Sequence, residues 1–221
     1  MALLTWDNVG ERFYETGVRN VVLYPQSNGA YPKGVAWNGV TNITQTPTGA
    51  DSNPIYADDI KYLDIRSVEE EEGSITAYTY PDEWAECDGS AELTTGVYVH
   101  QQPRKAFGLC YRTVIGNDTQ YENYGYKLHL IYGATASPSE RSHDTINDSP
   151  EAVEMSWDFT TVPTAVAGHK PTSSIEINST KVNATKLQDL LDKLYGTNGE
   201  GNATGTDPYL PLPAEVLSTI S

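Results

Sequence analysis

Cationic side chains are scarce in this chain. Lysine and arginine together number 14 against 30 aspartates and glutamates, a formal charge of −16 over 221 residues. Binding nucleic acid by neutralising its phosphates needs clustered cations, so a chain this acidic is not expected to hold DNA or RNA. Cysteine is scarcer still. Cys87 and Cys110 make neither a zinc framework nor a disulfide scaffold. The opening MALLTWDNVGERF reads as no export signal, so both are expected as free thiols. The four histidines, at 100, 129, 143 and 169, fall at no metal-ligand spacing. Phosphate-loop and nucleophile-elbow motifs are missing. No apolar run approaches the roughly 18 residues of a membrane span. On these grounds no enzyme chemistry, cofactor or membrane partner is expected.

What the chain does contain is acid, tyrosine and alternation. Glu69 to Glu72 are consecutive, and DEWAECD (82–88) adds Asp82, Glu83, Glu86 and Asp88. As a calcium site this cluster lacks the D-x-D-x-D-G spacing, and on a short helix Asp82 and Glu86 share a face that Asp88 leaves. A solvated helix start is the simpler reading. Fifteen tyrosines and four tryptophans, with a 38% hydrophobic content, suit a folded β protein. Six N-x-S/T matches, at Asn42, Asn117, Asn147, Asn178, Asn183 and Asn202, reflect the same Asn/Thr-rich composition.

In VEMSWDFTT (153–161) Val153, Met155, Trp157 and Phe159 share one face and polar residues the other, the pattern of a half-buried strand. YKLHLIY (126–132) and LCYRTVI (109–115) alternate likewise, and the intervening GNDTQYENYG reads as a long hairpin loop. Pairing Ile115 with Tyr126 would set Arg112 opposite His129 and leave Cys110 with a histidine only diagonally, without the geometry of an activated nucleophile. Further strands are expected at 20–24, 34–44, 60–68, 74–80, 94–100 and 172–178. Strands this closely spaced point to a mainly β architecture of two packed antiparallel sheets, a sandwich or barrel.

Two helices are expected. One is a turn or two within PDEWAECDG (81–89). The other spans 184–195, where Leu187, Leu190, Leu191 and Leu194 form a stripe, Asn183 caps the start and Gly196 stops the end. Residues 25–57 read as a long loop or protruding hairpin. The domain is expected to run over 1–196, with 197–221 as a flexible linker and C-terminal arm. Tyr209, Leu210, Leu212, Val216, Leu217 and Ile220 on that arm need burial, against a neighbouring subunit or back on the parent domain.

Several blocks together resemble a known family. These are WDNVGERFYETGV (6–18), GVAWNGVTNITQTPTGADSNPIYADDIKYLDI (34–65), AYTYPDEWAECDGSAEL (77–93), FGLCYRTVIGNDT (107–119), GYKLHLIYG (125–133) and TINDSPEAVEMSWDFTT (145–161), with LPLPAEV (210–216) near the end. They are similar to the major tail proteins, or tail-tube subunits, of long, non-contractile-tailed bacteriophages and related prophages. The resemblance implies two packed antiparallel sheets with a flanking helix. It also implies hexameric rings stacked into a tube in the virion, assembled in the bacterial host cytoplasm, with other tail proteins at the tube ends. DNA would pass through without specific binding.

Under that resemblance, candidate lumen-lining acids are Asp58, Asp59, Asp64, Glu69, Glu70, Glu71 and Glu72, with the ring-to-ring junction or the outer surface as the competing place for the glutamate run. Candidate inter-ring contacts are Tyr31, Pro32, Trp37, Pro47 and Pro54. The rival reading from the same all-β pattern is a virion-surface carbohydrate-binding β-sandwich, which would act as a monomer or small oligomer.

Overall fold

A computed structural model describes residues 3–143, 145–146, 152–199 and 204–221. The sequons at Asn147 and Asn202 lie outside them. In chain order the elements are β1 (Phe13–Pro25), β2 (Val35–Ala36), β3 (Val40–Gly49), β4 (Ser52–Ala57), β5 (Ile60–Arg66), β6 (Glu69–Ala77), α1 (Trp84–Cys87), β7 (Ala91–Thr94), β8 (Val97–Val99), β9 (Phe107–Asn117), β10 (Tyr121–Ala136), β11 (Met155–Thr161), β12 (Ser174–Asn178), α2 (Ala184–Tyr195) and α3 (Pro213–Ile220). The protein is mainly β, with antiparallel sheets and a flanking helix.

One antiparallel sheet runs β2-β1-β9-β10-β11-β6-β3, and β12 also pairs with β10. Strand β10 makes the fork. Its residues 127–131 pair with β12 and residues 134–136 with β11. Gly133 stands at the switch with φ +62°, and a Cβ there would lie 2.3 Å from the Val162 carbonyl oxygen, so only glycine lets the backbones meet. Beyond the fork β11-β6-β3 folds over β1-β9-β10. Leu23, Leu109 and Ile131 face Ile75, Trp157 and Phe159 across a first core, with Trp37 and Trp84 between the layers. On the outer side of β1-β9-β10, Tyr24, Cys110, Leu128, Leu130 and Tyr132 form a second core beneath α2. Two-sided burial explains why β9 is apolar almost throughout.

Helix α2 has the bounds and devices read from the sequence. The Asn183 side chain accepts from the Thr185 and Lys186 backbone N–H groups, the four leucines are buried, and Gly196 ends the helix at φ +75°. Other expectations need correction. Residues 25–57 are not one long loop, since β2, β3 and β4 lie there, and the hairpin alternative fits only in part, because β4 pairs with β5 beyond that range. The β3–β6 pairing leads at its far end into the β4–β5 hairpin, which turns at Asp58 and Asp59, both with positive φ. The expected loop at 116–125 is a tight turn, because the Asn117 carboxamide oxygen accepts from the Thr119 and Gln120 N–H groups and lets strand resume at Tyr121. The register of β9 with β10 is shifted by one residue. Val114, not Ile115, opposes Tyr126, His129 opposes Tyr111, and Cys110 opposes Leu130 on the other face. The 94–100 strand is the second half of a small β7–β8 hairpin turning at Gly96. A third helix, α3, occupies the arm.

Candidate functional site

The outer face of β3-β6-β11 is built of hydroxyls and carboxylates. Ile43, Ile75, Trp157 and Phe159 point into the first core, so alternation turns Thr44, Thr46, Thr48, Glu70, Glu72, Ser74, Thr76, Ser156, Asp158 and Thr160 outward. Register then builds rows across the sheet: Thr44–Ser74–Asp158 and Thr46–Glu72–Thr160. Hydroxyls link neighbours, with Thr44 Oγ1 and Ser74 Oγ 2.6 Å apart and Thr41 Oγ1 donating to Glu154 at 2.6 Å. These three strands contain no lysine, arginine or histidine. The face therefore presents small hydroxyls and carboxylates, with no countercharge of its own. Strand β3 forms one end of the sheet order, with its outer edge unpaired among the described residues.

The glutamate run does not form one wall. Glu70 and Glu72 lie on this outer face, whereas Glu69 and Glu71 alternate to the other side. Glu71 accepts a hydrogen bond from Gln45 Nε2, and Gln45 Oε1 in turn accepts from Tyr111 O–H at 2.7 Å, closing one end of the core. Asp58 and Asp59 sit on the β4–β5 turn. Asp64, farther down β5, receives hydrogen bonds from Lys61 and Ser52, which hold its carboxyl below the usual range. Reading the sequence missed Asp158 and the threonine ladder. The signal was available as three alternating segments that share a lack of cations.

Two of the expected inter-ring anchors are core residues. Trp37 is 3% exposed, donates from Nε1 to the Thr79 carbonyl at 2.8 Å and packs against Trp84 and Trp157. Tyr31 is 2% exposed, and its hydroxyl accepts from the Gly133 N–H at 2.8 Å. Aromatic size argued for an anchor, but inside the fold it fills the interlayer space. Pro32 and Pro47 are exposed and Pro54 half-buried.

The arm docks on its own domain. Leu210 N–H donates to the Tyr31 carbonyl (3.1 Å), Gly34 N–H to Pro208 (2.8 Å) and Tyr209 N–H to Lys193 (2.8 Å). Leu210 and Val216 are buried in the second core, Ile220 packs at its margin, and the Tyr209 hydroxyl donates to Glu215 at 2.6 Å. Thr197 pairs with Thr206, so the linker is pinned at both ends. Leu212 and Leu217 remain exposed.

Uncovered apolar surface lies on the N-terminal segment (Leu3, Leu4, Trp6, Val9) and along the β4–β5 hairpin. Ile55, Tyr56, Ile60, Tyr62, Leu63 and Ile65 are exposed on both of its faces. An isolated two-stranded hairpin is marginal in water, and apolar surface of this extent marks an interaction site.

His129, Cys87 and Cys110 are embedded in packing. His129 stacks on Tyr111, with centroids 4.6 Å apart, while its Nε2 meets Thr113 at 2.9 Å. Burial pushes the Cys87 and Cys110 thiols up to about 12. Among the described residues no three His, Cys, Asp or Glu side chains are grouped to hold a metal ion, and no helix is long and apolar enough to cross a membrane. No protein-family model matches this chain, and neither does any curated protein.

Proposed function

We propose that this protein is the major tail-tube subunit of a long, non-contractile-tailed bacteriophage or prophage, six copies closing a ring and rings stacking into the tube of the virion. The observation that carries the reading is the cation-free, hydroxyl-rich face of β3-β6-β11, which suits the wall of a channel for DNA. A polyanion binds where lysine and arginine neutralise its phosphates; Glu70, Glu72 and Asp158 offer it no such minimum. At physiological salt the Debye length is about 8 Å, so repulsion acts near the wall and is screened along the axis. Six copies at −16 each bring the ring to about −96. The result is a conduit that neither grips nor blocks the genome.

Two features support self-association. The unpaired edge of β3 can extend its sheet into a neighbouring copy, hiding backbone groups that otherwise template aggregation. The β4–β5 hairpin offers apolar surface that its own domain leaves uncovered. Assembly takes place in the host cytoplasm in this reading, other tail proteins meeting the tube at its two ends. Negative-stain microscopy of the purified chain, with and without a tail-tip initiator complex, tests it. Rings of about six subunits or tubes are expected. A chain that stays monomeric under both conditions overturns the proposal.

A further inference from the structure

One cleft gathers cationic donors on a protein dominated by acid. It encloses about 560 Å³, bounded by Asp88 and Gly89 after α1, by the 100–104 segment and by residues 138–141 after β10. Most of its charge is already matched. Arg141 pairs with Asp88, and Lys105 nearby pairs with Glu86 at 2.8 Å. Arg104 has no such partner among the described residues. Its Nε is buried without a hydrogen bond, and its guanidinium lies against Gly89, where an added Cβ would sit 3.3 Å from Cζ. His100 Nδ1 bonds to Ser90 Oγ at 2.8 Å, which fixes that ring on the rim. A buried donor left unmade is costly, and a guanidinium beside a cleft takes a carboxylate in bidentate fashion.

The protein carries a matching group. The β4–β5 hairpin projects with both faces exposed, and its turn places Asp58 and Asp59 side by side at φ 51° and 61°. Neither carboxylate has a cationic partner among the described residues, whereas Asp64 below them is already held by Lys61. We propose that the Arg104 cleft is a carboxylate-binding site whose occupant is the Asp58–Asp59 turn of a second copy of this chain. The apolar flanks of the hairpin then gain cover from the same neighbour. The inference rests on the self-association proposed above and assigns one contact within it.

Charge exchange tests it. Arg104→Glu, and separately the pair Asp58→Arg with Asp59→Arg, should each raise the concentration needed for ring or tube formation at least about tenfold in sedimentation velocity. Combining all three changes in one chain should restore assembly. Arg104→Gln, which keeps the Cγ contact with Gly89 and loses the guanidinium, should show an assembly defect in the same direction as Arg104→Glu with the melting temperature nearly unchanged. Variants that assemble like the wild type, or a triple variant without rescue, overturn the contact and leave the tube reading intact. A wild-type chain that never associates overturns both. Titration with citrate separates the sources of carboxylate. Citrate that competes with assembly only when Arg104 is present supports the site, and citrate without effect on wild-type assembly counts against it.

Discussion

Gly73 sits where β3 and β11 leave β6 no room for a side chain. A Cβ there would lie 2.2 Å from the Thr44 carbonyl oxygen and 2.5 Å from the Phe159 ring. Gly73→Ala is expected to cost about 1–3 kcal/mol in urea unfolding, as overpacking does, although the residue follows four exposed-looking glutamates in sequence. His129 gives a second prediction at this scale. Burial pushes its pKa below 6.5, with Glu176 and Glu15 opposing from β12 and β1, Lys127 adding to the downward shift and Tyr111 stacked against the ring. The unfolded chain therefore takes up the proton first, and stability falls as pH drops below 6.5. Urea midpoints measured from pH 8 to 5 should decline below that value, and His129→Gln should flatten the decline. An unchanged slope in the variant would remove His129 from the account.

At the scale of elements, α2 and the C-terminal arm close the second core together. Leu190 is fully buried, so Leu190→Ala should cost about 2–5 kcal/mol by chemical denaturation. Deleting 207–221 would be harmless to a lone subunit if the arm served only a neighbour. Docked in cis, its loss removes Leu210 and Val216 from the second core and leaves the Tyr132 hydroxyl without its Pro211 acceptor. The truncated chain is expected to bind a hydrophobic dye and to lose most of its cooperative melting transition. Helix α2 was legible because its spacing, cap and stop all lie within the helix and its immediate flanks. Helix α3 carried weaker local marks, Pro213 at its first turn and Glu215 beside it. The Pro-rich approach to it obscured them. The β4–β5 turn was missed because two adjacent aspartates replace the usual Asn-Gly signal, yet both adopt the left-handed conformation such turns need.

On the whole molecule, the distribution of charge sets how it behaves toward DNA. Reversing Glu70, Glu72 and Asp158 to lysine places three cations per copy on the β3-β6-β11 face. Assembled material from that triple variant should retain double-stranded DNA at low salt and release it as salt rises, whereas the wild type should not retain it. Measured by filter retention from 50 to 200 mM salt, equal binding by the two proteins would separate this face from any channel. Reversing Asp189 and Asp192 on α2 together with Asp207 beyond it, where no channel wall is proposed, serves as the control for net charge.

Alternation of period two, the leucine spacing of α2 and the predominance of acid are properties of neighbouring residues or of plain composition, and they specified a mainly β protein with one strong helix before any contact was known. Which strands oppose one another is another matter. The fork at Gly133 and the return of the arm to Tyr31 join positions far apart in the chain, and no local pattern encodes them, whereas the register of β9 on β10 follows from the tight turn at Asn117. Long-range packing alone sent Tyr31 and Trp37 inward and brought Asp158 beside Ser74. A strand's own residues say which of them share a side; only the partner layer says which side becomes the interior.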